Sequence, residues 1–419
     1  MTIRRGSMAS VDSREGPRLE ITAGMRKILD YPRFRGPARM LILDANYFFE
    51  PSWRRAAESL GWQTASVPSA MTGGLTREDV RLLFTAIGEF KPDFILASNF
   101  AGMDAEAMFA RFFEDARIPY VSWFTDTPRM ILYDRKLHCS PYMVAATWER
   151  AYIPHFKQLG FQHIHFMPLA TDPALFHGKP SAHYGRNLAF VGTSMIVEAE
   201  EAWEKLEHLP EITAAIQDAF AQGRVTRERF AGGIGAVIDP ALLAPCTTSE
   251  RRHIELCLIY EATRRQRAEM VRRLSPMKIE VRGDAAWQRI YPAAGGSVAY
   301  HSGLAEYYRT TAVNLNITSL QMKTAANQRV FDCPAAGGFL LTDAQSDIAE
   351  FFDPENEMAV YASLEELEDK CMYYLRHPAE RDAMIERAQC RIAAHHTHAH
   401  RLKELEVFLK DRFRTGRTE

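Results

Sequence analysis

The sequence predicts an α/β protein made of two Rossmann-like, parallel-sheet domains in series. Three observations predict it. Short apolar runs alternate with amphipathic stretches of helical spacing from residue 38 onward, a Pro- and Gly-rich segment at 168–187 interrupts the alternation, and the same alternation then starts again. The chain has 419 residues, and domains of roughly 100–200 residues make two or three the expected number.

Residues 1–37 are polar and broken by Gly and Pro, and are expected to form a tail or a loose first helix. The first domain is expected over 38–172. "ARMLILD" (38–44) is an apolar strand ending in an acid, and "WRRAAESLGWQ" (53–63) has helical spacing that closes on Gly61. "REDVRLLFTAIGEFKPDFILASN" reads as helix, turn and strand, broken at Pro92 and Asp93. "MFARFFEDARIPYVSWFTDTP" repeats the unit, and "MVAATWERAYIPHFKQLGFQHIHFMPLATDP" gives strand, helix and strand. Residues 173–186 form the expected linker. The second domain, 187–395, opens with the strand "NLAFVGTS" (187–194) and carries a helical insertion over about 197–275, with a Gly-rich break at "AGGIGAVIDP". Strands return with "MKIEVRGD", "SVAYHSG", "AVNLNIT" and "GGFLLTD". Thr397 is placed to cap a last helix, 396–419, in which Leu402, Leu405, Phe408 and Leu409 form one apolar stripe.

Composition narrows the function class. The chain is 47% hydrophobic and 25% charged with a formal net charge of −2, which gives no dense basic surface for nucleic acid. Its six cysteines include no CxxC pair, against both a disulfide framework and a thiolate zinc site, so a reducing cytoplasm is the expected compartment. The basic residues of "MTIRRGSMASVDSREGPRLE" have no apolar core behind them, so no secretory signal is expected, and no run of about 18 apolar residues predicts a transmembrane segment.

In open α/β sheets ligands bind at the carboxyl ends of the strands. "AFVGTS" is one such end: Gly192 lets the backbone approach a phosphate, and Thr193 and Ser194 add hydroxyl donors. A plain tight turn is the alternative. In "LNITSLQMKTAANQRVFDCPAAGGFLLTD" (315–343) a strand end leads into a helix bearing Lys323, Arg329 and Asp332, which stops at Gly337–Gly338. Two cations and an acid near strand ends suit a phosphorylated, ribose-containing ligand. A solvated helix face closed by a Gly C-cap fits the same residues. In the first domain Asp126 of "WFTDTP" follows a buried strand, where a carboxylate serves either as a general base or as a turn and cap residue. Asn46 and Tyr47, after the first strand, are acceptor-side candidates. "AAHHTHAHR" (393–401) places His396 and His400 at i,i+4, but further metal ligands are not evident, and no D-x-D occurs in the chain. No metal is therefore expected.

"NLNI" followed by "RVFDCPAAGGFLLTD", the strand–Gly–helix–strand unit "VAYHSGLAEYYRTTAVNLNI", and "YLRHPAER" resemble the CgeB-like (spore-maturation type) glycosyltransferases, a branch of the group 1 glycosyltransferases of GT-B fold. "WFTDTP" and "PLATDPALF" match more loosely, and His396, Thr397, His400 and Arg401 match the family's H-T-x-x-H-R. The resemblance implies two Rossmann-like domains facing a cleft, with a nucleotide-diphosphate sugar, UDP- or GDP-linked, held by the C-terminal domain. Asp332 would contact the ribose, Arg329 or Lys323 the diphosphate, Gly192 and Thr193 would lie against the phosphates, and Ser194, Gly337 and Gly338 would belong to the same donor site. It further implies transfer to an acceptor held by the N-terminal domain, with no cofactor beyond the donor, and a last helix that crosses back to that domain. The family's two glutamates are replaced here by Thr324 and Asp332. Those replacements leave the stereochemical outcome open, together with two rival readings: a nucleotide-sugar epimerase of GT-B fold, and a non-catalytic nucleotide-sugar-binding subunit.

Overall fold

The computed structural model describes residues 18–69, 76–133 and 135–414. The chain divides into two compact units, Met1–Pro168 with His398–Glu419, and Leu169–Thr397. Each is built on one parallel sheet with helices around it.

In the first unit the elements are α1 (Ala23–Leu29), β1 (Arg39–Asp44), α2 (Glu50–Ser59), β2 (Gln63–Pro68), α3 (Arg77–Phe90), β3 (Phe94–Ser98), α4 (Met108–Asp115), β4 (Tyr120–Phe124), α5 (Pro128–Leu132), β5 (Met143–Thr147), α6 (Ile153–Gln158) and β6 (His163–Phe166). The sheet order is β2-β1-β3-β4-β5-β6. β3, β4 and β5 are buried at every residue, as parallel strands covered on both faces must be, and this is why "FILAS", "YVSWF" and "MVAAT" read as unbroken apolar runs. α3 starts in a capping box, with Thr76 Oγ1 accepting from the Asp79 amide at 3.2 Å and Asp79 Oδ2 accepting from the Thr76 amide at 2.7 Å. It stops where Lys91 turns left-handed (φ 54) ahead of Pro92.

Of the expected N-terminal tail, residues 1–17 lie outside the described residues, and the remainder is more ordered than its polarity suggests. Thr22 caps α1. Asp93 then accepts from the backbone amides of Phe34 (2.5 Å) and Arg39 (2.8 Å), while buried Arg33 donates to the carbonyls of Leu29 (3.2 Å) and Ala116 (3.0 Å). A guanidinium and a carboxylate bonded to backbone groups fasten a segment that has little apolar surface of its own.

The second unit contains β7 (Arg186–Val191), α7 (Ile196–Glu204), α8 (Pro210–Ala221), α9 (Arg227–Ala231), α10 (Pro240–Leu243), α11 (Thr248–Leu274), β8 (Glu280–Gly283), β9 (Gly295–Gly296), α12 (Leu304–Arg309), β10 (Thr311–Asn316), α13 (Gln328–Ala335), β11 (Leu340–Asp343), α14 (Ile348–Phe351), β12 (Ala359–Tyr361), α15 (Leu364–Arg376) and α16 (Pro378–His395). The order β12-β11-β10-β7-β8-β9 is that of a dinucleotide-binding sheet. Phe190, Val281, Trp287, Leu315 and Leu341 fill the sheet core. The helices α7 to α11 close a second apolar core around Leu206, Ile216, Phe230, Ile254 and Leu258. "SVAYHSG", expected as a strand, is a loop. Only Gly295 and Gly296 before it pair with β8, and Tyr300 turns its hydroxyl onto Asp332 at 2.8 Å.

The Pro- and Gly-rich stretch is packed into this unit instead of hanging between domains. Thr171 pairs with Thr397 and donates its amide to the His396 carbonyl at 3.0 Å, and Gly337 (φ +86) lies so close that a Cβ there would stand 2.7 Å from the Lys179 carbonyl oxygen. After Thr397, α17 (His398–Phe413) belongs to the first unit, where it packs on α2. His398 meets Phe49 edge-on at 5.6 Å, and Arg401 Nε donates to the Pro168 carbonyl at 2.9 Å. Among the described residues no helix is long and apolar enough to cross a membrane.

Candidate functional site

Strand order fixes where each sheet opens. In the second unit β7 has β10 on one side and β8 on the other, so the crevice lies at the carboxyl ends of β7 and β10. Arg329, in the first turn of α13, lies across it: its guanidinium bonds both the Val191 carbonyl at the end of β7 and Asn316 Oδ1 at the end of β10, with its carbon 5.3 Å from the Phe190 ring centre. Arg267 arrives from α11 and donates to the Thr193 carbonyl (2.8 Å) and hydroxyl (3.0 Å). Arg227, from α9, donates to the Thr318 carbonyl (3.1 Å) and to Asp343 Oδ2 (3.3 Å). Asp343 Oδ1 in turn accepts from the Thr318 amide (2.9 Å) and hydroxyl (2.8 Å).

Three guanidiniums thus converge on partners that are mostly neutral. Burial, then the neighbouring Arg329, push the Arg267 pKa down to about 10, which still leaves it charged at neutral pH. The Nε atoms of Arg267 and Arg329 are buried without a hydrogen-bond partner among the described residues. Cationic donors at the mouth of a parallel sheet, beside the first amides of α13, are of the chemistry that suits an anion. Gly192 borders it. Its amide donates to the Arg282 carbonyl at 2.9 Å, and a Cβ there would stand 2.9 Å from Phe190 Cζ and 3.5 Å from Arg329 Nη2.

In the first unit the crevice lies between β1 and β3. Here the spanning group is an acid. Glu50, buried at the start of α2, accepts from the Ala45 amide (3.1 Å) and the Ser98 hydroxyl (2.8 Å) on one oxygen and from the Tyr47 amide (2.8 Å) on the other. Burial, followed by the carboxyl of Asp44 beside it, pushes its pKa up to about 7. Next to it Asp126 Oδ2 accepts from Asn99 Nδ2 (2.8 Å) and the Tyr47 hydroxyl (3.3 Å), and Thr125 donates to that hydroxyl at 3.0 Å. Burial and then the Asp126 charge hold the Tyr47 phenol protonated, well above the usual range. Asn46, Asn99 and Phe100 all have positive φ (59, 46 and 65), so backbone strain is concentrated at these two strand ends.

The structure therefore brings together Gly192, Thr193 and Arg329 at one crevice, and Asn46, Tyr47 and Asp126 at the other. Other residues singled out by sequence are employed elsewhere. Ser194 binds Asp284, its hydroxyl donating at 2.8 Å, and also accepts from the Ile196 amide at 3.2 Å. Lys323 is buried and donates to the Ala231 carbonyl at 3.1 Å. Gly337 and Gly338 precede β11, at the opposite end of the sheet from the crevice, and serve close packing: a Cβ at 338 would be 2.8 Å from the Tyr308 carbonyl oxygen. Asp332 is 1% exposed and accepts from Thr171 Oγ1 (2.7 Å), Gln328 Nε2 (2.9 Å) and the Tyr300 hydroxyl (2.8 Å). Burial dominates over these donors and raises its pKa to about 7.

Sequence reasoning missed Arg267, Arg227 and Glu50. The histidine cluster is split between the units. His396 Nε2 lies 3.1 Å from the Phe351 carbonyl oxygen in the second, and His398 packs on aromatic rings in the first. Among the described residues no group of three or more His, Cys, Asp or Glu is arranged to hold a metal.

Residues 264–407 match the family model described as glycosyl transferase-like. No curated protein sequence matches the chain. Among solved structures it is similar to sucrose-phosphate synthase from Thermosynechococcus elongatus, at 10% identity and a TM-score of 0.48, over 89% of this chain and 98% of that one. Anabaena HepE in complex with UDP and glucose is similar at 10% identity and a TM-score of 0.47, over 89% and 99%. A trehalose-phosphate synthase (UDP-forming) from Burkholderia vietnamiensis is similar at 10% identity and a TM-score of 0.44, over 90% and 99%. The glycosyl transferase-like segment is thus the part of the second unit that supplies Arg267, Asn316, Arg329 and Asp343, continuing into α17.

Proposed function

We propose that the protein is a glycosyltransferase of the GT-B class that moves a sugar from a UDP- or GDP-linked donor to a hydroxyl acceptor. The observation that carries the reading is the set of arginines at the β7–β10 crevice, two of them within the glycosyl transferase-like segment. Arg329 and Arg267 neutralise the diphosphate and stabilise the charge that develops on it as the sugar departs. Gly192 and Thr193 let it approach the backbone. At the first unit Asp126, oriented by Asn99 and Tyr47, takes the proton from the acceptor hydroxyl, and Asn46 and Tyr47 help to hold the acceptor.

In this reading arginines do the work that a bound cation does elsewhere, so no step requires a metal, and added chelator leaves turnover unchanged. The six cysteines, all unpaired, fit a cytoplasmic location. A thermal-shift panel of UDP, GDP and their sugars tests donor binding, and release of free nucleotide from the stabilising sugar donor tests turnover. The reading expects one base to stabilise the protein and Arg329→Met to abolish that shift. It is wrong if no nucleotide diphosphate or nucleotide sugar binds at millimolar concentration. Isomerised donor without any acceptor would favour an epimerase, and donor binding without turnover a binding subunit.

A further inference from the structure

We infer that Glu50 is a positioning residue of the acceptor side: its carboxyl ties the loop after β1 to the end of β3 and so sets the Tyr47 phenol on Asp126. This rests on the roles given above to Tyr47 and Asp126. The geometry is that of a clamp. One oxygen joins Ala45, just past β1, to Ser98, the last residue of β3, and the other takes the amide of Tyr47, whose hydroxyl reaches Asp126. Three donors on one buried carboxyl fix a loop in which Asn46 is held at positive φ.

The clamp depends on a proton. Asp44 stands beside Glu50, itself near Arg54 (3.6 Å) and accepting from the Asn46 amide (3.0 Å). Tyr47 and Asp126 face the same loop, and His398 of α17 packs on Phe49. When Glu50 holds a proton it donates to Asp44; when it loses the proton the two carboxylates repel across the loop. The value near 7 places that change at neutral pH, so the clamp tightens below it and loosens above it. In Glu50→Gln no proton titrates at this position: the side-chain carbonyl still accepts from Ala45 and Ser98, while the amide nitrogen, a donor toward Asp44, no longer accepts from the Tyr47 amide.

Hydrogen exchange of the full-length protein reads the clamp without any substrate. The amides of Ala45 and Tyr47, corrected for the intrinsic pH dependence of exchange, should lose about tenfold in protection between about pH 6 and about pH 8.5 in the wild type. Glu50→Gln should show no such change, and Glu50→Ala should exchange fast at both. The inference is overturned if wild type and Glu50→Gln share one pH dependence, or if Glu50→Ala keeps full protection. Release of nucleotide from UDP- or GDP-sugars, followed over the same pH range, separates this from the transferase reading. Turnover that falls above neutral pH in the wild type but not in Glu50→Gln, with UDP binding equal in both, supports the acceptor-side role. Equal pH profiles for turnover oppose that role. Exchange as stated with no turnover at all leaves the clamp standing and removes the transferase.

Discussion

Asp332→Asn separates the charge of a buried carboxyl from its packing. In the native protein this carboxyl is 1% exposed, and burial raises its pKa from the ordinary aspartate value of about 3.9 to about 7. At about 1.36 kcal/mol for each tenfold change in proton affinity, the rise amounts to about 4 kcal/mol. The sign follows from which state holds the proton more tightly. The folded value lies above the unfolded one, so the contribution is complete below about pH 4, declines as pH rises through about 7, and is flat beyond. Asparagine keeps the shape and the neutral hydrogen bonding: its carbonyl accepts from Thr171 and Gln328, and its amide donates to the Tyr300 hydroxyl in place of the bond received from it.

The stability of the wild type relative to Asp332→Asn should therefore fall by about 2–4 kcal/mol between about pH 4 and about pH 8, the lower figure allowing for relaxation around the charge. Urea unfolding of both proteins at a series of pH values measures it. Titration of Glu50 contributes equally to each protein and cancels in the difference. A difference that stays constant with pH to within about 0.5 kcal/mol would refute the placement of this carboxyl in a desolvated network.

Three further outcomes follow from the same geometry. Arg267→Met should weaken UDP or GDP binding by about 1.5–3 kcal/mol, the value of a hydrogen bond to a charged group, as seen in calorimetry. Asp126→Asn should lower turnover about 10²–10⁴-fold while leaving the donor affinity unchanged, which steady-state kinetics and calorimetry separate. Gly337→Ala forces a Cβ to 2.7 Å from the Lys179 carbonyl oxygen at φ +86, and urea unfolding should show a loss of about 2 kcal/mol or more with nucleotide binding retained.

The sheets were legible because parallel strands are buried on both faces. "FILAS", "YVSWF" and "MVAAT" carry that signal without help from neighbours, and so does the Gly-ended strand at Val191. "SVAYHSG" misled because an apolar stretch beside Gly resembles a short strand, whereas Tyr300 is drawn off by a tertiary hydrogen bond to Asp332. Arg329 was legible from its place just after a strand-end loop. Arg267 was not. It is one of several arginines along a 27-residue helix, and only its contact with Thr193, far away in sequence, shows that it turns inward. Glu50 reads locally as an ordinary acid in the first turn of a helix, a position that favours negative charge on the helix dipole alone. Gly337 and Gly338 were expected in the donor site, but glycine signals closeness of backbone without saying what comes close. Here it is the chain at Lys179 and Tyr308.

In the proposed function Arg329, laid across the β7–β10 crevice, holds the diphosphate of a nucleotide donor. Calorimetric titration of the wild type and Arg329→Met with UDP and with GDP, at low and at moderate salt, tests it most directly. The expected result is saturable binding of one of the two nucleotides, weakened by salt and reduced about tenfold or more by the substitution. Absence of binding by both nucleotides, or binding that is the same in Arg329→Met, would contradict it.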